Sequence, residues 1–165
     1  LDEHKNLRIA LVGINQTPLD WIGNLARIKQ AMTQAKALDV HLICLPELAI
    51  SGYGCEDAFL HMDVPARSLQ LVKQLAQECG KEIILVGLPF ALKGKLYNGV
   101  AILNQGRICG ITLKSHLARE GIHYEPRWFQ PWPAGTVDQV ILDGRSVPVG
   151  AHVYHTSGLA FALEI

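Results

Sequence analysis

His41-Leu42-Ile43-Cys44-Leu45-Pro46-Glu47-Leu48 is a short, mostly apolar run that ends in a proline and a carboxylate. A run of this length bounded by a breaker reads as a buried strand, with a loop beginning at Pro46. Upstream, Leu7-Arg8-Ile9-Ala10-Leu11-Val12-Gly13-Ile14 is a second such run and the expected first strand. Between them, Thr17-Pro18 predicts an N-cap followed by proline at the first helical position, with Asp20 in the first turn. The inward stripe of that helix would be Leu25, Ile28, Met32 and Ala35, running out near Leu38-Asp39. Downstream, Leu69, Val72, Ala76 and Cys79 repeat the helical spacing, and Gly80 supplies a C-terminal glycine. Glu82 to Leu88 reads as a third strand; Tyr97 to Leu103 and Arg107 to Leu113 read as a hairpin around Asn104-Gln105-Gly106. Strand, helix, strand, helix, then strands predict a layered α/β domain with helices against a mixed sheet. No internal repeat or low-complexity linker interrupts it.

Composition fits a single globular unit. The 165 residues are 49% hydrophobic and 18% charged, with 15 Lys+Arg against 15 Asp+Glu, which leaves no basic footprint for nucleic acid. A chain of this size buries roughly 68–70% of its unfolded surface. No stretch approaches the ~18 consecutive apolar residues of a membrane span, and Leu1-Asp2-Glu3-His4-Lys5-Asn6 has no apolar signal region. A soluble, cytoplasmic protein is the expectation. Cys44, Cys55, Cys79 and Cys109 are widely spaced with no Cys-x-x-Cys pair, so reduced thiols are expected rather than a zinc ribbon or disulfide scaffold. His152 and His155 are the only close histidine pair and have no flanking carboxylate or thiol, so no metal site is expected.

Two residues stand where α/β folds place their chemistry, at the ends of strands. Glu47 follows the strand that ends at Leu45; a carboxylate partly desolvated there can exchange protons near neutral pH, and a carboxylate standing in water reads equally well. Lys114 follows Ile108-Cys109-Gly110-Ile111-Thr112-Leu113, where an ammonium can stabilise a developing oxyanion. The loop from Lys114 to Phe129 is dense in charged and aromatic residues, as binding loops often are. Were it only a solvated surface loop, Tyr124, Trp128 and Phe129 would expose much apolar area.

These segments also carry a family resemblance. Leu45-Pro46-Glu47-Leu48-Ala49-Ile50-Ser51-Gly52-Tyr53 resembles the nitrilase-superfamily motif that supplies a general-base glutamate, and Lys114 with Tyr124-Glu125-Pro126-Arg127-Trp128-Phe129 resembles the block that supplies the catalytic lysine. Within that superfamily, Gly52-Tyr53-Gly54-Cys55-Glu56-Asp57 and the stretch from Arg119-Glu120-Gly121 to Arg127-Trp128-Phe129-Gln130-Pro131-Trp132 are most similar to the amidase domains of the glutamine-dependent NAD synthetase family. The resemblance implies an α-β-β-α sandwich with mixed sheets. It makes residues 1–165 the front portion of one carbon-nitrogen hydrolase domain. It implies Glu47 as general base, Lys114 as oxyanion stabiliser and Glu125 as a second glutamate positioning lysine and substrate. Tyr53, Glu120 and Tyr124 would contact the substrate, glutamine.

The resemblance also implies a cysteine nucleophile just after a segment like Leu159-Ala160-Phe161-Ala162-Leu163-Glu164-Ile165. That apolar run reads as a core strand that simply stops, so the expectation is a domain truncated at its C-terminal end, without its nucleophile and inactive as it stands. Cys55-Glu56-Asp57 mimics the text around that nucleophile, but Cys55 lies in the loop after Glu47 and reads as a packed thiol. Cys44, Cys79 and Cys109 are expected to be more buried still. No cofactor is implied for this domain; ATP and Mg would belong to a synthetase domain converting deamido-NAD to NAD. A homo-oligomer is also implied. A stand-alone hydrolase acting on another amide or carbamoyl group, and a non-catalytic homologue retained for assembly, are the competing readings.

Overall fold

The computed structural model describes residues 6–121, 124–156 and 158–165. Its backbone is a seven-stranded mixed sheet in the order β1-β2-β3-β4-β5-β7-β6, flanked by two helices and a separate two-stranded hairpin, β8-β9. The strands are β1 (Ile9–Leu11), β2 (Leu42–Cys44), β3 (Ile83–Leu92), β4 (Lys95–Asn104), β5 (Arg107–Leu113), β6 (Val137–Leu142), β7 (Arg145–Gly150), β8 (Val153–Thr156) and β9 (Leu159–Ala162). β1, β2 and β3 run parallel, β3-β4-β5 is an antiparallel meander, and β7 returns parallel to β5.

Alternation along β3 and β4 builds two cores, because successive side chains in a strand point to opposite faces. Ile84, Val86 and Leu88, with Ala101 and Leu103, pack against helices α1 (Trp21–Ala37) and α2 (Asp63–Gln77). Ile83, Leu85 and Ile102 face the other way, onto Tyr154 of β8 and the partly buried Leu159 and Phe161 of β9. The described layers are thus α-β-β, the helix layer and both sheet layers of the expected sandwich. No helix among the described residues is long and apolar enough to cross a membrane.

Several local expectations are corrected. α1 begins at Trp21, not at Pro18: Leu19 takes φ 60°, which breaks a helical start there, and Asp20 is the N-cap, accepting from Gly23 N at 3.0 Å. Its buried face is Asn24, Ile28, Met32 and Ala35, with Leu25 only partly buried. In α2 the buried residues include Leu71, Val72, Leu75 and Ala76; Leu69 is partly buried and Cys79 lies beyond the end of the helix. Gly80 is not a left-handed cap: Glu78 closes the helix, and Gly80 N donates to Glu82 Oε1. The hairpin around Gln105-Gly106 forms as expected, both residues having positive φ as a type I′ turn demands. Two further hairpins, turning at Lys93-Gly94 and Asp143-Gly144, share that geometry. The closing run forms β9 as a half-buried strand against the outer face of the sheet rather than a core strand.

One close approach decides where the loop after β2 can lie. A Cβ added at Gly87 in β3 would stand 2.3 Å from Leu48 N, 2.6 Å from Pro46 O and 2.8 Å from Glu47 C. The loop therefore rests directly on β3, and Ile50 N donates to Gly87 O at 3.3 Å. Gly87→Ala is expected to force this loop outward and to destabilise the fold by about 1–3 kcal/mol. A urea unfolding midpoint equal to the parent's would refute the close approach.

Candidate active site

Glu47 stands at the carboxyl end of parallel β2. Leu45 N still bonds Leu85 O at 3.0 Å; the chain then turns, with Ala49 N donating to Pro46 O and Leu48 held at φ 50°. A left-handed leucine costs on the order of 1 kcal/mol or more and persists only where its surroundings impose it. Here they do: Leu48 is 1% exposed and packs with Phe59, Leu117 and Phe129.

Lys114 follows β5 directly, its amide donating to Asn98 O of β4 at 2.8 Å and its carbonyl accepting from Trp132 N. Glu125 opens a short 3-10 turn, Glu125–Arg127, and exchanges bonds with Ala118: Glu125 N donates to Ala118 O at 3.1 Å, and Ala118 N donates to Glu125 Oε2 at 2.7 Å. That turn is anchored by Phe129, 1% exposed and tilted against Phe59 at 4.9 Å between ring centres. Outside it, Arg127 grips Asp57 through two bonds of 2.6 and 2.7 Å, and Trp128 Nε1 adds a third of 3.0 Å. The Arg127 guanidinium, with Trp128, holds the Asp57 carboxyl well below the usual range.

These elements bring Glu47, Lys114 and Glu125 into one cluster. Lys114 Nζ donates to Glu47 Oε1 at 2.6 Å and to Glu125 Oε1 at 3.1 Å. Tyr53 OH reaches Glu125 Oε1 at 3.3 Å. Burial opposes the charge on Glu125, but the Ala118 amide and Lys114 outweigh it and hold its carboxyl below the ordinary value. Burial likewise works against the Lys114 ammonium, and Glu47 and Glu125 more than compensate, raising it above the usual lysine value. Burial, then the charges of Glu125 and Glu47, push the Tyr53 hydroxyl up to about 12, so it is a donor at neutral pH. Of the two settings that its position left open for Glu47, a partly desolvated carboxylate and one standing in water, the structure gives an intermediate: its side chain is 41% exposed and polar partners hold it.

The remaining candidates separate. Glu120 and Tyr124 are exposed, Tyr124 at 57%, and the described contacts join neither side chain to the cluster. Ile122 and His123 of the same loop lie outside the described residues. Cys55 is buried, its thiol donating to the carbonyls of Ser51 and Gly52 at 3.2 Å, and burial raises its pKa. That is a packed, protonated thiol. Cys44 and Cys109 are only partly buried, less so than Cys55, contrary to expectation; Cys79 is buried. Among the described residues no group of His, Cys, Asp and Glu could hold a metal ion.

Sequence reasoning missed Asn98. Its Nδ2 donates to Glu47 Oε1 at 2.6 Å and to Glu125 Oε1 at 3.1 Å, and the residue is 2% exposed. A signal existed: asparagine is depleted in strands, yet it interrupts Leu96-Tyr97-Asn98-Gly99-Val100.

The shifts on Glu125 and Lys114 set the pH range of the cluster. A depressed Glu125 adds stability that is present above its ordinary value of 4.5 and is lost as pH falls through its folded value; a raised Lys114 adds stability that is present below 10.5 and is lost as pH rises through its folded value. Glu125→Gln should therefore flatten the loss of stability below pH 4.5 while leaving the alkaline limb dependent on Lys114. Urea midpoints measured from pH 3 to 7 check this, and a slope equal to the parent's would contradict an ionised Glu125 (about one group's worth of pH dependence is at stake).

Known proteins share this arrangement of elements. Residues 8–165 match the family described as carbon-nitrogen hydrolase. A glutamine-dependent NAD(+) synthetase of Saccharomyces cerevisiae is 37% identical over 139 residues, which is 82% of this chain and 20% of that protein. The crystal structure of a glutamine-dependent NAD(+) synthetase from Cytophaga hutchinsonii superposes with a TM-score of 0.88 at 37% identity, covering 91% of this chain and 26% of that one. The chain thus spans about a fifth of the length of the one relative and a quarter of the other. Nit3 of Saccharomyces cerevisiae, a member of branch 10 of the nitrilase superfamily, shares the fold at a TM-score of 0.63 and 24% identity, covering 87% of this chain and 54% of that one. With its family match running over nearly the whole length, the chain belongs to the carbon-nitrogen hydrolase family.

Proposed function

We propose that this chain is the front portion of a glutamine amidohydrolase domain, whose ammonia serves an ATP-dependent conversion of deamido-NAD to NAD elsewhere in a longer protein. The observation that carries the reading is the ammonium of Lys114 set between Glu47 at 2.6 Å and Glu125 at 3.1 Å. Its likeness to glutamine-dependent NAD(+) synthetases supports glutamine as the amide. ATP and Mg would be needs of the synthetase part, and this domain would need no cofactor.

In this reading Glu47 is the general base. Its Oε1 accepts from Lys114 and Asn98, and Oε2 takes neither of these bonds, which leaves it to receive a proton. An ammonium has three donors. Lys114 Nζ faces Glu47 Oε1 at 2.6 Å and both oxygens of Glu125 at 3.1 Å; one donor to Glu47 and one shared between the two Glu125 oxygens would leave the third to meet an oxyanion. Ser115 N donates to Ile165 O at 2.9 Å, so a residue following Ile165 would stand beside Lys114. A cysteine there would be the nucleophile. Its thiol proton passes to Glu47, the thiolate forms a bond to the amide carbon of glutamine, and Lys114 stabilises the tetrahedral oxyanion. Glu47 returns the proton to nitrogen, the carbon–nitrogen bond breaks and ammonia leaves. Water then cleaves the thioester to glutamate, again with Glu47 as base.

The full-length protein supplied with glutamine tests this reading. Glu47→Gln is expected to lower ammonia release by about 10²–10⁴-fold, and Lys114→Met by about 10²–10³-fold or more. Ammonium chloride in place of glutamine should restore NAD formation in both variants. Parent-like glutamine turnover in Glu47→Gln would refute the assignment.

A further inference from the structure

We propose that Asn98 is a positioning residue, whose side-chain amide donates to Glu47 Oε1 at 2.6 Å and to Glu125 Oε1 at 3.1 Å and so locks both carboxylates in one orientation about Lys114. The proposal rests on the amidase reading above and extends it to a residue with no chemistry of its own.

The four groups form a closed cycle. Each Oε1 accepts one bond from Lys114 Nζ and one from Asn98 Nδ2, so each carboxylate is held from two directions. A single ammonium would leave Glu47, whose side chain is 41% exposed, free to pivot about one bond toward water. The second donor removes that freedom. Only the nitrogen end of the amide can face two ionised carboxylates, because its oxygen would add a third acceptor.

Charge explains why the donor is an amide. Glu47 and Glu125 surround one ammonium, which leaves the cluster with one net negative charge and Glu47 able to take a proton. A second cation in place of Asn98 would neutralise that charge and weaken the base. A carboxylate there would repel both neighbours. A neutral group with two hydrogens on one nitrogen meets both needs, and its burial at 2% exposure is offset because both hydrogens are used.

Rigidity comes from the fold. Asn98 lies within β4, paired to Pro89 of β3, and its carbonyl accepts from Lys114 N at 2.8 Å. Both bridging donors therefore sit on one stretch of sheet, whereas both carboxylates come from loops. Among the described residues, the titratable groups bonded to the Asn98 side chain are Glu47 from the loop after β2 and Glu125 from the 3-10 turn; Lys114 at the end of β5 bonds both of these carboxylates and Tyr53 from the turn after Glu47 bonds Glu125.

Steady-state ammonia release from glutamine by the full-length protein, measured across pH, tests the proposal with Asn98→Asp and Asn98→Ala. Loss of the amide should lower kcat by about 10²-fold with little change in KM for glutamine. Without a donor to the ionised carboxylates, the acid limb of kcat/KM should move to higher pH, further in Asn98→Asp. Circular dichroism and a melting curve establish that each variant is folded; should Asn98→Asp fail to fold, the smaller Asn98→Ala decides. Parent-like kcat and an unmoved acid limb would overturn the proposal, as would a change confined to KM, which would make Asn98 a substrate contact. If Glu47→Gln in the same assay also keeps parent-like turnover, the amidase reading itself falls, a result separate from the first.

Discussion

One ammonium ties three separate pieces of the chain together. Lys114 extends from the end of β5 to a carboxylate on the loop after β2 and to another on the 3-10 turn at Glu125. Neither carboxylate lies on a strand. Each reaches the cluster on a loop whose backbone must be forced into position, and the attraction of opposite charges in a partly desolvated setting holds the loops there once they arrive. Burying Glu125 is tolerable only because Lys114, Asn98, Tyr53 and the Ala118 amide satisfy it.

The forcing is visible in the backbone and in the apolar packing. Gly87 lets the Pro46–Leu48 segment lie on β3 with no side chain between them. Leu48 accepts a left-handed conformation because its side chain is sealed beside Phe59 and Phe129. The same small core joins the two loops from below, while the exposed Asp57–Arg127 pair clasps them from outside. The strain at Leu48 therefore sits next to Glu47, the general base of the proposed reaction, where a rigid carboxylate would be worth more than a relaxed backbone.

Much of this is legible in the residues. β2 with Glu47 at its end, β5 with Lys114 at its end and the Gln105-Gly106 hairpin all come from apolar runs bounded by turn residues. Glu47 and Lys114 stand out by their places at strand ends, and Glu125 and Tyr53 through the family resemblance. The start of α1 is misleading because Thr17-Pro18 carries a good capping signal that Leu19 overrides with a positive φ. The hairpin at Asp143-Gly144 escapes the sequence reading although Asp-Gly is a strong turn signal, and the one at Lys93-Gly94 escapes it because lysine is an unusual partner for glycine there.

Local sequence was enough to settle the strands and helices as far as Leu113, apart from their exact ends, and which charged residues stand at strand ends, because periodicity and turn chemistry act over a few neighbouring residues; β6, β7 and β8 it did not settle. It could not settle which charges meet. Asn98 bonds a carboxylate 51 positions away, and Lys114 one 67 positions away. Glu120 and Tyr124 lie close to Glu125 in the chain yet remain in solvent. Contacts of that range depend on strand order and on which loops the sheet allows to approach, and these are properties of the packed molecule rather than of any window of residues.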